Sequence, residues 1–176
     1  MLAADALTKA PQGRIDEGST VNFGTIQGGT ATNIVAEEVA IRGEVRSHSQ
    51  ESLDNLTRRI EDVFSQTIRE WHDPTGQAAG TPEFSFQAHA DFPLMLLTKK
   101  APVLTHIRKA ADAIGMKLSC KIAGGGSDAN IFNGYGLQTA IIATGMTNVH
   151  STDEQVDLQD MVDLTRLLLA LITISR

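Results

Sequence analysis

The sequence is poor in cysteine, in aromatic residues and in clustered positive charge. Cys120 is the one cysteine among 176 residues, which excludes an intramolecular disulfide and any cysteine-rich zinc site. Its place in an alternating apolar segment predicts a buried structural thiol. The formal charge of -6 at pH 7 argues against a nucleic-acid-binding surface, because such a surface needs clustered lysine and arginine.

Long apolar runs are absent as well. No stretch approaches the roughly 20 apolar residues that span a bilayer, and Met1 is not followed by the basic and apolar segments of a signal peptide. We therefore expect a cytoplasmic protein with neither a membrane nor a nucleic-acid partner. A chain of 176 residues is long enough for one generous domain or two small ones.

The first half of the chain predicts two strands, a helix and a third strand. Residues 19–26 are β-rich and end before Gly28-Gly29, and residues 39–46 alternate apolar and charged side chains. Ser49 can cap the following helix, and residues 84–90 alternate again. We expect a β-β-α-β sheet covered by a helix on one face, with edges that must be covered or paired with another chain.

A change of composition after Phe92-Pro93 marks a second unit. Pro102 opens a helix that Gly115 ends, and apolar patterns predict strands at residues 118–122 and 140–143. Asp157 caps a last helix. This α-β-α-β-α order predicts part of an open α/β sheet. The last helix has a predicted core stripe formed by Met161, Leu164, Leu168, Leu171 and Ile172.

A glycine-rich loop joins a predicted strand of the second unit to a predicted helix. It permits three interpretations: a tight turn capped by a serine, an anion site, or a pocket wall of backbone N–H groups. The G-x-G-x-x-A spacing fits a dinucleotide-binding loop, but Asn133-Gly134 breaks the helix early and no lysine follows for a phosphate-binding loop. The residues of this loop are Gly124, Gly125, Gly126, Ser127 and Asp128.

His150 directly follows an apolar run and shares its loop with Asp153 and Glu154. In open α/β sheets, ligands gather beyond the carboxyl ends of strands, so His150 is a candidate metal ligand or acid–base group. A structural or exposed histidine is the plainer interpretation. Zinc takes three or four protein ligands, and the spacing of the other histidines does not complete a metal site.

Asn33 precedes the alternating strand and Arg46 ends it. In the plainer interpretation, Asn33 is a turn residue and Arg46 is a surface arginine at the end of a strand. In the functional interpretation, the planar guanidinium of Arg46 binds a carboxylate of a substrate.

Four ordered motifs resemble the co-catalytic zinc metallopeptidases, which include peptidase T, carboxypeptidase G and acetylornithine deacetylase. The similarity to the peptidase T-like branch is the greatest, and it covers nearly the whole chain. It implies that residues 1–92 are the lid, or dimerisation domain, as an incomplete ferredoxin-like module without its first strand and most of its first helix. Residues 93–176 would then be the C-terminal portion of the catalytic domain. The four motifs are residues 28–35, 41–46, 124–130 and 150–154.

The resemblance also implies roles for single residues. His150 matches a metal ligand, and Asn33 and Arg46 match lid residues that hold the carboxylate or carbonyl of the substrate. The intact family binds two zinc ions, but its other ligands and its carboxylate base come from an N-terminal half that has no counterpart here. No catalytic residue is therefore expected in this chain. The substrate-binding wall of the family matches Gly124, Gly125, Gly126, Ser127 and Asp128.

The implied function is that of a C-terminal fragment of a zinc-dependent exopeptidase or amidohydrolase. Such an enzyme hydrolyses peptide or N-acyl amino acid amide bonds, and the fragment alone should be inactive because it lacks ligands and base. The resemblance implies a homodimer formed through the lid. The alternative is a non-catalytic association module with a vestigial metal site; a stable dimer without metal would favour it, whereas stoichiometric metal would favour the enzyme.

Overall fold

A computed structural model describes residues 1–76, 78, 80–122 and 124–174. The chain divides into two compact units, Met1–Leu94 and Met95–Arg176. The fold is mixed α/β, as the sequence predicts, with a three-stranded antiparallel sheet in the first unit and helices in both units. The elements are α1 (Leu2–Lys9), β1 (Gly13–Arg14), β2 (Ser19–Gly28), β3 (Val39–Ser47), α2 (Gln50–Arg69), α3 (Pro102–Ala113), α4 (Asp128–Gly134) and α5 (Leu158–Thr173).

The sheet of the first unit has the strand order β1-β2-β3. The long pair is β2 with β3, in register from Ser19 opposite Ser47 to Gly28 opposite Val39. A bulge between Phe23 and Thr25 shifts the register by one residue, which leaves the residue between them without a partner across the pair. The pair β1–β2 is short, so β2 and β3 supply most of the sheet.

Helix α2 covers one face of this sheet. Its N-terminus is capped as predicted, because the Ser49 side chain accepts a hydrogen bond from the Ser52 N–H at 3.3 Å. Leu56 and Ile60 of α2 are buried against Val21 of β2. Burial of each such side chain stabilises the folded state by roughly 1.5–3 kcal/mol. Half-buried residues packed around this core are Phe23, Val45, Phe64 and Phe86.

The strand predicted at residues 84–90 is not formed. Phe84 and Phe86 are half-buried while Ser85 and Gln87 are exposed, so the alternation is real. Phe84 stacks on Phe64 with ring centroids 5.8 Å apart. Within the described part of the chain, however, β3 pairs with β2 alone. A ladder needs a neighbouring backbone as well as a side-chain pattern, and the third strand of this sheet is β1 instead.

The second unit packs α3 against α5. Pro102 occupies the first turn of α3, and Gly115, at φ +70°, ends the helix. The N–H groups of Gly115 and Met116 donate to the carbonyls of Asp112 and Ala111 at 3.1 and 2.9 Å, a Schellman arrangement. The buried centre of this unit consists of Ala110, Ala111 and Leu167.

The strands predicted at residues 118–122 and 140–143 are also not formed. Among the described residues of the second unit, the ladder hydrogen bonding is confined to an isolated bridge between Thr147 and Gln155. Ile142 packs on the α3–α5 core, but its neighbour Ile141 is 53% exposed. The run is therefore covered on one face, since no described strand lies beside it to cover the other.

For the second unit, the predicted burial of Cys120 is wrong and the predicted core stripe of α5 is partly wrong. Cys120 is exposed, with its Sγ 3.5 Å from Nη2 of Arg108. In α5 the buried residue is Leu167; of the predicted stripe, Leu171 packs on the core, whereas Met161, Leu168 and Ile172 are exposed. Every residue from Leu167 to Ile172 of α5 is apolar, so the pattern of this part of the helix does not select the side that packs on α3.

The described residues contain no helix that is both long enough and apolar enough to span a bilayer.

Candidate functional site

His150 lies on a compact loop closed at its base by the bridge between Thr147 and Gln155. The two residues exchange backbone hydrogen bonds, with N–O distances of 2.9 and 3.2 Å. Asn148 and His150 have positive φ angles of 53° and 66°, a conformation that L-residues seldom adopt. The loop therefore imposes a specific backbone on His150 and leaves this residue exposed.

Internal hydrogen bonds hold the loop in this conformation. Ser151 Oγ donates to the Asn148 carbonyl at 2.7 Å and accepts from the Asp153 N–H at 3.2 Å. The N–H of His150 donates to Oε2 of Glu154 at 2.8 Å. A hydrogen bond to a charged acceptor is stronger than a neutral one, so Glu154 stabilises the strained residue directly.

Gly145 and Asp160 connect the loop to α5. Gly145 has a φ of +85°, and a Cβ added there would overlap the Asp160 carboxylate. Asp160 lies in the first turn of α5, where a negative charge is favoured by the helix dipole. The close approach of this glycine therefore sets where the chain leaves the apolar run and enters the His150 loop.

The glycine-rich loop forms a capped turn into α4. Ser127 Oγ accepts from the Ala129 N–H at 3.3 Å, and the Ser127 N–H donates to Oδ1 of Asn130 at 3.0 Å, so the capping interpretation is confirmed. Gly124 and Gly125 are exposed, and a Cβ on either would meet no atom within 4 Å. Helix α4 has seven residues, and the substrate-wall role of Gly124, Gly125, Gly126, Ser127 and Asp128 stays a prediction.

Arg46 lies on the sheet face opposite α2, because its neighbour Val45 packs toward that helix. Its fork holds the Glu44 carboxylate, with Nε 3.0 Å from Oε1 and Nη2 3.1 Å from Oε2. Asn33 is exposed in the connection between β2 and β3. The structure thus shows Arg46 engaged with a carboxylate of its own strand.

The candidate residues fall into two groups. Asn33 and Arg46 belong to the first unit, whereas the glycine-rich loop and His150 belong to the second. The described residues include no group of three or more histidine, cysteine, aspartate or glutamate side chains that could hold a metal ion. Because zinc takes three or four protein ligands, these residues do not fit a complete zinc site.

Two contacts that shape the candidate site were not predicted from the sequence. The ion pair between Glu44 and Arg46 could have been found, because residues two apart on a strand share a face. Asp160 has no local signal, since its contact with Gly145 joins residues 15 positions apart.

Comparisons with known proteins identify the family. Residues 1–72 match the family described as "Peptidase dimerisation domain". The chain is similar to the aminopeptidase PepT from Bacillus cereus ATCC 10987 over 97% of its length, with a TM-score of 0.77 and 32% identity. It is equally similar over 97% of its length to a tripeptidase from Staphylococcus aureus, with a TM-score of 0.79 and 30% identity. The chain belongs to this peptidase family.

Members of this peptidase family are generally metal-dependent, and the chain corresponds to their C-terminal portion. It is 32% identical to the uncharacterized protein YqjE of Bacillus subtilis over 171 residues. This alignment covers 97% of the chain and 44% of YqjE. It is 24% identical to a succinyl-diaminopimelate desuccinylase of Magnetococcus marinus over 175 residues. This alignment covers 94% of the chain and 40% of that protein. The chain spans 43% of the length of each solved relative.

Proposed function

We propose that this chain is the C-terminal portion of a zinc-dependent exopeptidase or amidohydrolase that cleaves peptide or N-acyl amino acid amide bonds. The observation that carries the proposal is the similarity to an aminopeptidase and a tripeptidase over 97% of the chain. The desuccinylase relative extends the substrate class to N-acyl amino acids. Residues 1–92 are then the lid and residues 93–176 the end of the catalytic domain. A cytoplasmic location stays a prediction.

In this proposal Arg46 holds a carboxylate of the substrate. Its fork already binds a carboxylate through two N–H groups at 3.0 and 3.1 Å, and a planar guanidinium is suited to that two-point contact. Asn33 contributes an amide from the turn before β3. Because the Arg46 side chain is 54% exposed, solvent and salt weaken its attraction for any single carboxylate.

The second unit supplies His150 as one metal ligand and the glycine-rich loop as a wall of the pocket. The loop that carries His150 fixes its backbone, and Gly124 and Gly125 leave room for a ligand to approach the main chain. The donor set of the described residues falls short of a zinc site. We therefore expect the chain alone to be inactive, and no residue within it is assigned a catalytic step.

Zinc content and peptide hydrolysis of the isolated chain test this proposal. We expect well under one equivalent of zinc after dialysis and no cleavage of tripeptides, both for the wild type and for His150→Ala. One or two equivalents, lost in His150→Ala but retained in the matched variant His89→Ala, would contradict the expected inactivity. They would show that ligands from elsewhere complete the site around His150.

The Arg46 assignment has its own test. The side-chain Nε–H resonance of Arg46 is identified by its loss in Arg46→Lys, with Arg58→Lys as the matched control. We expect trialanine to shift this resonance, whereas trialanine amide, which has no carboxylate, should not. Equal shifts with both peptides, or none with either, would contradict the carboxylate role.

One observation favours a second candidate function. Residues 1–72 match a dimerisation domain, so the chain can be a non-catalytic association module with a vestigial metal site. In both candidates the partner is a second copy of the chain. Analytical ultracentrifugation combined with the zinc measurement bears on this choice: stoichiometric zinc that is lost in His150→Ala would favour the enzyme portion, whereas a stable dimer without zinc is the result that both candidates predict for the isolated chain.

A further inference from the structure

We propose that Asn133-Gly134 is a deamidation site that the folded second unit keeps unreactive, and that the reaction, once it occurs, releases the end of helix α4. The inference goes beyond the proposed function and does not depend on catalysis. Among the asparagines of the sequence, Asn133 is the one that glycine follows. Because glycine has no side chain, its nitrogen approaches a preceding asparagine side chain with the least hindrance. The sequence therefore places a reactive dipeptide at the end of α4.

The reaction requires the Asn133 side chain to fold back on its own backbone. The Gly134 nitrogen attacks Cγ of Asn133. A bond from this nitrogen to Cγ forms, the bond from Cγ to Nδ2 breaks, and ammonia leaves with the proton of the Gly134 N–H. Water then opens the cyclic imide, and residue 133 becomes aspartate or isoaspartate. The chemistry needs only this chain and water, provided that both reacting groups are free.

In the folded structure, hydrogen bonds occupy both reacting groups. Nδ2 of Asn133 donates to the carbonyls of Ala129 and Thr139, each at 2.7 Å, and Oδ1 accepts from the Thr139 N–H at 3.3 Å. Gly134 is the last residue of α4, so its N–H belongs to the hydrogen-bonding pattern of the helix. The Asn133 side chain is also half-buried. The reaction must therefore wait for a local opening of α4.

The same hydrogen bonds make Asn133 a brace between α4 and the segment that follows it. The amide contacts both backbone polar groups of Thr139, as the backbone of a neighbouring strand does in a sheet. Its second N–H reaches Ala129 in the first turn of α4. All of these partners lie within residues 129–139, so the brace is complete inside the second unit.

A carboxylate at residue 133 cannot form this brace. An ionised carboxylate has no hydrogen to donate, so the carbonyls of Ala129 and Thr139 lose their donor and face a negative charge instead. A half-buried acceptor that loses its partner destabilises the folded state. Refolding does not restore the amide, since ammonia has left. Deamidation is therefore a one-way change that separates α4 from the segment at Thr139.

The first experiment follows conversion of residue 133 in the folded wild type and in urea, in mildly alkaline buffer, by peptide mass spectrometry. In urea, residue 133 should react faster than Asn148, which precedes valine, and Gly134→Ala should lose this preference. In the folded protein the conversion should be at least about tenfold slower than in urea, because it requires local opening. Equal rates in both conditions would overturn the protection. Equal reactivity of residues 133 and 148 in urea would overturn the site.

The second experiment tests whether α4 controls the reaction. The Ser127 side chain accepts from the Ala129 N–H and the Ser49 side chain accepts from the Ser52 N–H, both at 3.3 Å. Ser127→Ala should loosen α4 and raise the conversion rate of the folded protein about two- to tenfold. Ser49→Ala, the matched loss of a cap in the first unit, should leave that rate unchanged. No increase in Ser127→Ala, or equal increases in both variants, would overturn the role of α4.

The third experiment tests the release with Asn133→Asp, which has the product side chain. The N–H groups of Tyr135, Gly136 and Leu137 close the end of α4 through bonds of 2.9–3.2 Å to residues 131–133. Their hydrogen exchange should be about tenfold faster in Asn133→Asp than in the wild type. Exchange at Gly115, which ends α3, is the internal control and should not change. Unchanged exchange at residues 135–137 would overturn the release of α4.

Discussion

Phe23 of β2 covers Gly43 of β3. The two residues lie opposite each other in the sheet, and a Cβ added to Gly43 would lie 2.8 Å from Cδ1 of Phe23 and 2.6 Å from the Asn22 carbonyl oxygen. The same ring lies 6.2 Å from the Phe64 ring of α2. The missing side chain of Gly43 therefore allows Phe23 to lie against β3 while it joins the sheet to the helix.

Substitution of Gly43 by alanine should destabilise the first unit. The added methyl group must displace the Phe23 ring or the β2 backbone, which costs about 1–3 kcal/mol of unfolding free energy. Urea unfolding followed by the fluorescence of Trp71 measures the loss. Gly80→Ala is the matched control, because a Cβ there meets no atom within 4 Å, and it should stay within about 0.5 kcal/mol of wild type. Equal stability of the two variants would contradict the packing argument.

Phe84 should anchor the extended segment that follows α2. Its ring stacks on Phe64 at 5.8 Å, and no described strand pairs with the segment. Phe84→Ala should therefore cost about 1–2 kcal/mol, less than a fully buried phenylalanine, and should speed proteolysis within residues 82–94. Phe92→Ala, at a residue that is 51% exposed, is the control. Unchanged protease sensitivity in Phe84→Ala would show that other contacts hold the segment.

The parts of the fold that depend on local chemistry were predictable from the sequence. Ser49, Ser127 and Asp157 cap their helices through N–H groups two or three residues away. Pro102 and Gly115 mark the ends of α3. Each of these signals is complete within one turn of helix, so the rest of the structure does not decide it.

The parts that depend on distant neighbours were not predictable. The alternation of Phe84 and Phe86 describes which side chains are covered, but pairing depends on where another backbone lies. Cys120 was expected to be buried because its segment has an alternating apolar pattern. It is exposed because no described strand covers that segment. For the candidate site, the sequence indicated His150 and Glu154, whereas the contact between Gly145 and Asp160 is visible only in three dimensions.

Asp16 should make the β1–β2 turn sensitive to acid. The Gly18 N–H, which donates to its carboxylate at 2.8 Å, lowers the pKa of Asp16, and the Ser19 hydroxyl lowers it further. The folded state therefore favours the ionised form. Its contribution is fully present above the unfolded pKa and is lost as pH falls through the lower folded pKa.

Measurement of stability at several pH values tests this sign. The difference in unfolding free energy between the wild type and Asp16→Asn should be constant near neutrality and should shrink from about pH 5 downward. Glu17→Gln is the neighbouring control for a general loss of negative charge. A difference that grows on acidification would contradict the lowered pKa.

The contact between Gly145 and Asp160 should determine the position of the His150 loop. Gly145→Ala places a methyl group on the Asp160 carboxylate and forces alanine to a φ of +85°, so it should cost more than the roughly 1–2 kcal/mol of backbone strain alone. Asp160→Ala should cost about 0.3–1 kcal/mol through the helix dipole. In the double variant the clash is removed and the strain remains, so thermal unfolding should show a combined loss smaller than the sum of the two. Additive losses would mean that the two residues do not interact. Chemical shifts of Asn148 and His150 provide the structural readout, and they should move in Gly145→Ala and return toward wild type in the double variant.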